Sequence, residues 1–400
     1  MRSGSGCKKN HGKFVKILEN QINNPREWAC FQWVNEVLPA PMTEWKMLAG
    51  DASFRRYFRT ATHAMSYVVM DAPPEKESSL TPFITIDQTL EKMGLMVPHI
   101  FAQEVSQGFL LLSDLGDDLF SAHLTDHSVE KIYDTALHDL RRMQECQKIS
   151  GYDLPEFDRI RYLMEMRMIE EWYVGHHLQR KLSESEQKIL ENAFELLIQN
   201  ACEQPQVFVH RDYHSRNLLL VPEMMNGAVI ARNAVRKQSR IHDWITSDAH
   251  VVRPRDDASC HVKTGILDFQ DAVWGPVTYD LMSLVRDCYI DWPVPSVEKW
   301  IENFRLKLAE RDAVLFSDAT VFLKWSDWMG LQRHLKCIGL FARLHYRDHK
   351  SNYMQYWPRL FRYVEHVCSK YTALHELGQL MRCLAQENHQ LAEKKENVSA

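Results

Sequence analysis

The stretch VHRDYHSRN at residues 209–217, followed by ILDFQD at residues 266–271, decides how this chain is interpreted. It places Asp212, Asn217 and Asp268 in the order that phosphoryl transfer from a nucleotide requires. Asp212 can orient an attacking hydroxyl and accept its proton. The amide oxygen of Asn217 and the carboxylate of Asp268 are ligands that Mg²⁺ accepts. The sequence therefore predicts a catalytic base, Asp212, and two metal ligands, Asn217 and Asp268.

Two further residues are predicted to support this loop without taking part in the chemistry. His210 stands where its ring can hydrogen-bond the backbone and brace the loop. Asp280 opens a predicted helix, so it can either cap that helix or accept hydrogen bonds from the loop backbone. Both roles predicted for Asp280 are structural.

The short distance between Asp268 and Asp280 indicates the class of acceptor. Only residues 269–279 intervene, Gly275 and Pro276 predict a turn there, and no A-P-E sequence follows. A protein kinase needs a long activation segment at this place to hold a peptide. A small-molecule acceptor is therefore predicted.

The hydrophobic periodicity predicts an α+β chain, and together with the H-R-D-x-x-x-x-N arrangement at residues 210–217 it indicates a two-lobed, protein-kinase-like fold. Period-two patterns at residues 45–48, 54–60, 66–71, 100–105 and 109–113, with a helical pattern at 80–93, predict a small antiparallel sheet with one helix. Three-to-four spacing of apolar residues dominates afterwards and predicts, among others, a helix over residues 157–178. We predict a polar extension at 1–23, an N-lobe at 24–113 that binds nucleotide, a mainly helical C-lobe at 114–370, and a helical tail at 371–400.

A polar segment at residues 222–263 interrupts the C-lobe. It separates Asn217 from Asp268, although the two ligands need only a hairpin between them. The segment is predicted to be an insertion at that hairpin. A surface loop without function is the simpler interpretation, and a substrate lid or partner contact is the alternative.

Composition excludes several classes of function. The net charge is −5, which does not indicate a nucleic acid or an anionic membrane as partner. The nine cysteines form no C-x-x-C pair, and the N-terminus lacks the apolar region of a secretory signal. No apolar run is long enough to span a bilayer. A cytoplasmic monomer with reduced thiols is expected.

Several stretches together resemble the aminoglycoside phosphotransferase family of small-molecule kinases, and within it the bacterial N-acetylmuramate/N-acetylglucosamine anomeric kinases. The resemblance covers roughly residues 40 to 350. It implies ATP-dependent phosphorylation of a sugar's anomeric hydroxyl in cell-wall (peptidoglycan) recycling, with ATP and Mg²⁺ as cofactors. The stretches that carry it are residues 50–59, 70–75, 111–116, 210–217, 268–272 and 330–336.

One departure concerns the phosphates of the nucleotide. Kinases place a lysine on the third strand, but residues 66–70 (SYVVM) contain none. Arginines beside the turn at residues 50–53 are the candidate replacements, and alternation places Arg55 and Arg59 on one face and Arg56 on the other. The nucleotide-binding residues expected are Ser53, Arg55, Arg59 and Asp114.

The acceptor is expected in the helical lobe near Asp212. Arg333 is the candidate partner for the lactyl carboxylate of N-acetylmuramate, and Asp271 is a candidate for hydrogen bonds to sugar hydroxyls. Trp172, Tyr173 and Trp274 can stack on a sugar ring, although core packing is the simpler interpretation of each. An aminoglycoside, choline or another amino alcohol is an alternative acceptor, and a nucleotide-binding pseudokinase is the non-enzymatic alternative.

Overall fold

A computed structural model describes residues 22–48, 54–76, 79–222 and 262–399. Contacts divide the chain into two compact units. The first holds the described residues up to Ala136, Ile149–Tyr152, and those within Arg216–Gln270. The second holds Leu137–Lys148, Asp153–Ser215 and the described residues from Asp271 onward.

The first unit is built on a five-stranded antiparallel sheet, as the sequence predicts. Its strands follow the order β1-β2-β3-β5-β4. Regular pairing of β2 with β3 sets Arg56 opposite Asp71 and Ala61 opposite Ser66. The strands are β1 Glu44–Met47, β2 Arg56–Ala61, β3 Ser66–Asp71, β4 Ile100–Glu104 and β5 Phe109–Ser113.

Helix α1, Pro25–Val37, covers one face of this sheet. It begins where the Asn24 side chain accepts the backbone N–H groups of Arg26 and Glu27, with a proline in the first turn. Its apolar face packs into a core shared with strands β2, β3 and β5. The buried members of that core are Cys30, Phe31, Val34, Met42, Phe58, Tyr67, Val69, Phe109 and Leu111. Helix α2, Thr81–Lys92, and the short α3, Phe120–His123, follow in the same unit.

A second ladder in the first unit carries both predicted metal ligands beyond one of its ends. Strand β7, Leu218–Pro222, pairs with β8, Val262–Ile266, so Pro222 and Lys263 are strand residues rather than parts of an insertion. Backbone bridges join Gly265 to Met96 and Leu219 to Leu119. These bridges join the β7–β8 hairpin to the unit that holds the five-stranded sheet. The boundary between the units therefore differs from the lobe boundary predicted at 113/114. Most of the predicted insertion, residues 223–261, lies outside the described residues.

The second unit is mainly helical. Its long helix α9 has an Asp318 cap at its start and is buried along most of its length. Two short strands, β6 Gln206–Val209 and β9 Val273–Pro276, pair antiparallel beside the predicted catalytic loop. Helix α4, Val129–Met143, contributes residues to both units. The remaining α-helices are α5 Arg159–Met166, α6 Glu184–Cys202, α7 Tyr279–Val285, α8 Val294–Ala309, α9 Ala319–Tyr346, α10 Trp357–Lys370 and α11 His375–Ser399.

Two local predictions in the second unit are wrong. The helix expected over residues 157–178 divides into α5 and a π-helix, Ile169–His177, whose wider turn is closed by the bond from the Leu178 N–H to the Tyr173 carbonyl at 2.9 Å. Gly275 and Pro276 lie in β9 rather than in a turn, because β6 offers them a partner from a distant part of the sequence. Such a partner cannot be recognised from local turn propensity.

None of the described helices combines the length and apolarity needed to cross a membrane. The cysteines that the structure describes in detail are free thiols; they are Cys30, Cys146, Cys202, Cys288, Cys337, Cys368 and Cys383.

Candidate active site

The predicted catalytic loop is held by two carboxylates of the second unit. Asp280 accepts the backbone N–H groups of His210 at 2.6 Å and Arg211 at 3.0 Å. Asp287 accepts the N–H of Ser215 at 3.0 Å. Arg211 lies in the left-handed region with φ of 76°, a conformation that non-glycine residues rarely adopt. The loop backbone is therefore fixed on both sides of Asp212.

His210 and Asp280 occupy the positions that a supporting role needs. The His210 side chain is fully buried, and its Nδ1 accepts the backbone N–H of Asp212 at 3.3 Å. Burial raises the pKa of Asp280 to about 7, even though two backbone N–H groups and Arg333 favour its charged form. Asp280 lies in the first turn of α7, and both of its carboxylate oxygens accept N–H groups of the loop.

Asp212 is surrounded by positive charge. Partial burial by itself would raise its pKa, but Lys336, His214, Arg211 and Arg333 outweigh that effect and lower the pKa of Asp212 to about 2. An ionised carboxylate at neutral pH is the form that can accept a hydrogen bond from a hydroxyl. The side chain thus has the protonation state that its predicted role requires.

Two of these cations, Arg211 and Lys336, are themselves held by a buried glutamate on helix α5. One oxygen of Glu165 accepts Nη2 of Arg211 at 2.7 Å and Nζ of Lys336 at 2.8 Å. Its other oxygen accepts Nε2 of Gln332 at 3.1 Å. Burial opposes ionisation of Glu165, but Lys336 and Arg211 lower its pKa below the ordinary value. The sequence did not reveal Glu165, because its partners lie 46 and 171 residues away.

The two residues predicted to bind the acceptor have different environments. Arg333 is only 6% exposed, donates Nη1 to the backbone carbonyl of Arg211 at 3.0 Å, and lies 4.7 Å over the Tyr279 ring. This geometry favours a bracing role for Arg333 over contact with a substrate carboxylate. Asp271 is exposed, and its backbone carbonyl accepts Arg211 Nη1 at 3.5 Å. Its side chain therefore remains accessible for the predicted contact.

The predicted metal ligands belong to the first unit. Nδ2 of Asn217 lies 3.4 Å from Oδ2 of Asp268, and Nε2 of Gln270 donates to Oδ1 of Asp268 at 2.7 Å. Asp268 is left-handed, with φ of 64°, and the ring of Phe269 packs against Phe83 at 5.0 Å between ring centroids. One amide oxygen and one carboxylate are a donor set that fits Mg²⁺, which takes few protein ligands beside phosphate oxygens. Gln270, which orients the carboxylate, was missed by the sequence reasoning.

The arginines of strand β2 and its start are engaged within the first unit. Arg59 binds Asp114 through Nε at 2.9 Å and Asp117 through Nη1 at 2.8 Å. Asp114 also accepts the Ser66 hydroxyl at 2.5 Å; burial would raise its pKa, but Ser66, Arg59 and the Gly116 N–H lower it. Arg55 precedes β2 and is 9% exposed. Ser53, also predicted to bind nucleotide, lies outside the described residues.

Arg56 lies on the opposite face of β2 from Arg59, as alternation predicts, and has a different function in the fold. It forms an ion pair with the fully buried Asp71, which also binds Nη2 of Arg26 from helix α1 at 2.6 Å. Asp71 therefore joins helix α1, through Arg26, to the start of β2, through Arg56.

Asp87 on helix α2 is another buried carboxylate of the first unit, and unlike Asp71 it has no ion-pair partner among the described residues. Its side chain is fully buried, and neither oxygen has a hydrogen-bond partner in the described part of the chain. Burial, with a smaller contribution from Glu91, raises the pKa of Asp87 to about 8. No sequence signal pointed to this residue.

Comparison with known proteins agrees with this geometry. The family model described as "Phosphotransferase enzyme family" matches residues 44–230 and 256–314, which is more than half of the chain. The N-acetylmuramate/N-acetylglucosamine kinase of Pseudomonas aeruginosa is 35% identical over 364 residues, covering 88% of this chain and 95% of that protein. The protein of the same name from Neisseria meningitidis is 32% identical and covers 87% of this chain and 93% of its own.

Solved structures share the fold at low sequence identity. An ADP-bound aminoglycoside phosphotransferase, APH(2'')-Ib, is 12% identical, covers 83% of this chain and 96% of its own, and has a TM-score of 0.51. Plasmodium vivax ethanolamine kinase is 10% identical, covers 92% and 96%, and has a TM-score of 0.53. The predicted kinase-like α+β fold is thus confirmed. By its family match and by its identity to these relatives over most of its length, the chain belongs to the phosphotransferase enzyme family.

Proposed function

We propose that this protein is an ATP-dependent kinase that phosphorylates the anomeric hydroxyl of N-acetylmuramate and N-acetylglucosamine. The observation that carries the proposal is Asp212 on a loop that Asp280 and Asp287 hold on both sides, in a chain 35% identical to a kinase of that name. The product, a sugar 1-phosphate, suits recycling of the cell wall toward activated sugars in the cytoplasm.

The chemistry is a displacement at the γ-phosphorus of ATP. The anomeric oxygen attacks, the bond from the γ-phosphorus to the bridging oxygen breaks, and ADP leaves. Asp212 holds the hydroxyl by accepting its hydrogen bond and takes the proton as transfer proceeds. Because the transition state is loose, positioning by the braced loop contributes more than proton removal.

Asn217 and Asp268 are the residues that would hold Mg²⁺. The ion supplies positive charge against the phosphate oxygens when it is bound with the nucleotide. On the protein side, Gln270 keeps the Asp268 carboxylate in one orientation, which prepares it as a ligand.

We also propose which arginine contacts the nucleotide phosphates in place of the lysine that other kinases carry on the third strand. Arg59 is neutralised by Asp114 and Asp117, so we assign it the task of fixing the segment around Asp114. Arg55 stays the candidate for phosphate contact, together with Ser53.

The proposal is tested by ADP release from MgATP in the presence of each sugar, with the phosphate position assigned by ³¹P and ¹H NMR. We expect release with both sugars and a phosphate on the anomeric oxygen. Turnover of choline or an aminoglycoside instead would replace the acceptor. Thermal stabilisation by nucleotide without turnover of any acceptor would indicate a pseudokinase. Parallel assays with GTP identify the donor.

A further inference from the structure

A cluster of aromatic rings surrounds Tyr289 in the second unit, apart from the charged network of Glu165. The ring of Tyr289 lies edge-on to His214 at 5.4 Å and edge-on to Tyr356 at 5.2 Å between centroids. Phe341 of helix α9 and Tyr353 complete the cluster, 5.3 Å from each other. Phe341 is buried, whereas His214 and the three tyrosines are only half-buried. The cluster therefore presents aromatic surface to solvent.

The cluster is fixed to the catalytic loop through Asp287. One oxygen of Asp287 accepts the N–H of Ser215 at 3.0 Å, and the other accepts the N–H of Tyr289 at 2.8 Å. His214 is two residues from Asp212 and close enough to lower its pKa. A ring packed on these tyrosines would thus lie beside the residue that holds the reacting hydroxyl.

The segment that carries Tyr353 and Tyr356 is built by an unusual turn. After helix α9 ends at Tyr346, His349 adopts a left-handed φ of 56°, and the Lys350 N–H returns to the Leu344 carbonyl at 2.9 Å. The chain then forms a 3-10 helix, Ser351–Tyr356, that places both tyrosines against Phe341 and Tyr289. A strained non-glycine residue is more common where the backbone is required for function.

A cation lies at the rim of the cluster. The guanidinium of Arg359 is 5.9 Å from the centroid of the Tyr356 ring, and Nη1 donates to the Cys288 carbonyl at 2.9 Å. Its Nε is buried and lies 3.9 Å from Asp291, whereas the side chain as a whole is 22% exposed. Asp291 is bound more closely by Arg362. Arg359 thus retains capacity for an anion, which the more deeply buried Arg333 does not share.

We propose that Tyr289 and Tyr356 form a platform on which the apolar face of the acceptor's sugar ring packs, and that Arg359 binds the carboxylate of acceptors that carry one. The inference rests on the proposed sugar-kinase function and names the residues that recognise its acceptor. Aromatic rings offer large, rigid apolar area with few rotatable bonds, which suits the C–H face of a pyranose. A planar guanidinium suits a carboxylate.

The platform is tested with Tyr356→Leu and Tyr289→Leu, each assayed for the KM of N-acetylglucosamine and of MgATP. We expect the sugar KM to rise about 3- to 10-fold, with the MgATP KM unchanged, because only acceptor packing is lost. Tyr356→Phe keeps the ring and should restore the wild-type value. Tyr152→Leu is the matched control, since Tyr152 is a half-buried tyrosine of the first unit.

The rim cation is tested with Arg359→Gln by the ratio of kcat/KM for N-acetylmuramate to that for N-acetylglucosamine. We expect that ratio to fall about 10-fold, while Arg362→Gln, which alters the neighbouring partner of Asp291, leaves it unchanged.

Different failures have different meanings. If the wild-type protein phosphorylates neither sugar, the proposed function fails and the platform is rejected with it. If it does, and the Tyr289 and Tyr356 leucine variants keep the wild-type sugar KM or Tyr152→Leu changes it equally, the platform alone is overturned. An unchanged sugar ratio in Arg359→Gln removes the rim cation. A leucine variant that fails to fold leaves the decision to the other tyrosine.

Discussion

The carboxyl groups of Asp212 and Asp87 are buried to different degrees in two regions of the molecule, and they differ in charge. At neutral pH Asp212 is ionised, whereas Asp87 is mainly protonated and neutral. At Asp212, in the second unit, nearby cations outweigh partial burial and lower the pKa to about 2. At Asp87, in the first unit, burial raises the pKa to about 8, and no partner is present among the described residues. Removal from water alone therefore does not decide the charge of an acid in this protein. The neighbouring donors and cations decide it.

The largest effect is expected at Asp212, where charge is needed for chemistry. Asp212→Asn keeps the shape but removes the acceptor, so kcat should fall about 10³-fold while unfolding stays cooperative. Steady-state ADP release and a urea titration measure the two quantities. The exposed Asp153, changed to Asn, serves as control. An Asp212→Asn protein with more than a tenth of wild-type kcat would show that this charge is dispensable.

The next effect concerns the glutamate that holds the cations around Asp212. Glu165→Gln leaves Lys336 and Arg211 without their carboxylate, and uncompensated buried charge should lower the free energy of unfolding by about 3 kcal/mol. Glu195→Gln, which disrupts an exposed pair with Arg159, should produce no measurable change. Equal stability of the two variants in urea would contradict the importance of the buried network.

At Asp87 we expect removal of the carboxylate to increase the free energy of unfolding at high pH, instead of lowering it. A buried acid without partners opposes folding once it must ionise. Its unfolded pKa is near 3.8 and its folded pKa about 8, so the folded state binds more protons between these values. Stability is thus lost as pH rises from about 4 to about 8. Asp87→Asn should remove this loss, by at most about 4 kcal/mol between pH 5 and pH 8.

Urea unfolding of both proteins at pH 5, 6.5 and 8 measures that difference. Glu91→Gln is the matched control, since Glu91 contributes only the smaller share of the pKa rise. A gap between wild type and Asp87→Asn that stays constant with pH would show that Asp87 has a partner in solution.

The smallest effect is expected at Asp268 in the first unit, where the neighbouring Gln270 is predicted to orient the carboxylate as a Mg²⁺ ligand. Gln270→Leu removes the donor to Asp268, so the Mg²⁺ concentration for half-maximal turnover should rise about 10-fold with little change in kcat. Titration of Mg²⁺ at saturating ATP and acceptor measures it. An unchanged Mg²⁺ dependence would mean that the left-handed backbone alone orients Asp268.

Sequence patterns predicted what is encoded locally. The five strands of the sheet and helix α2 follow from periodicity within short windows. Asn217 and Asp268 were predicted as partners from the motif, and the structure places Nδ2 of Asn217 3.4 Å from Oδ2 of Asp268. Alternation also separated Arg56 from Arg59 correctly, because adjacent strand residues point to opposite faces.

What could not be predicted depends on contacts between distant residues. Glu165 binds Lys336, which lies 171 positions away in the sequence, and no local sequence pattern near either residue predicts this pair. Arg333 had the right charge for a substrate partner, but only its burial and its bond to Arg211 indicate a brace. The strand at Val273–Pro276 exists because β6 pairs with it, against the local preference of Gly-Pro for a turn.

The pairing of β7 with β8 bears on where the sequence can tolerate insertions and deletions. Pro222 pairs with Val262, so the 39 intervening residues are closed at their base by paired strands. Loop-closure entropy grows only with the logarithm of length, about 0.6 kcal/mol for each doubling. Lengthening a flexible four-residue link tenfold would therefore disfavour folding by no more than about 2 kcal/mol on that scale. The hairpin is a junction where sequence can be inserted or deleted while Asn217 and Asp268, at the other end of the same ladder, keep their register.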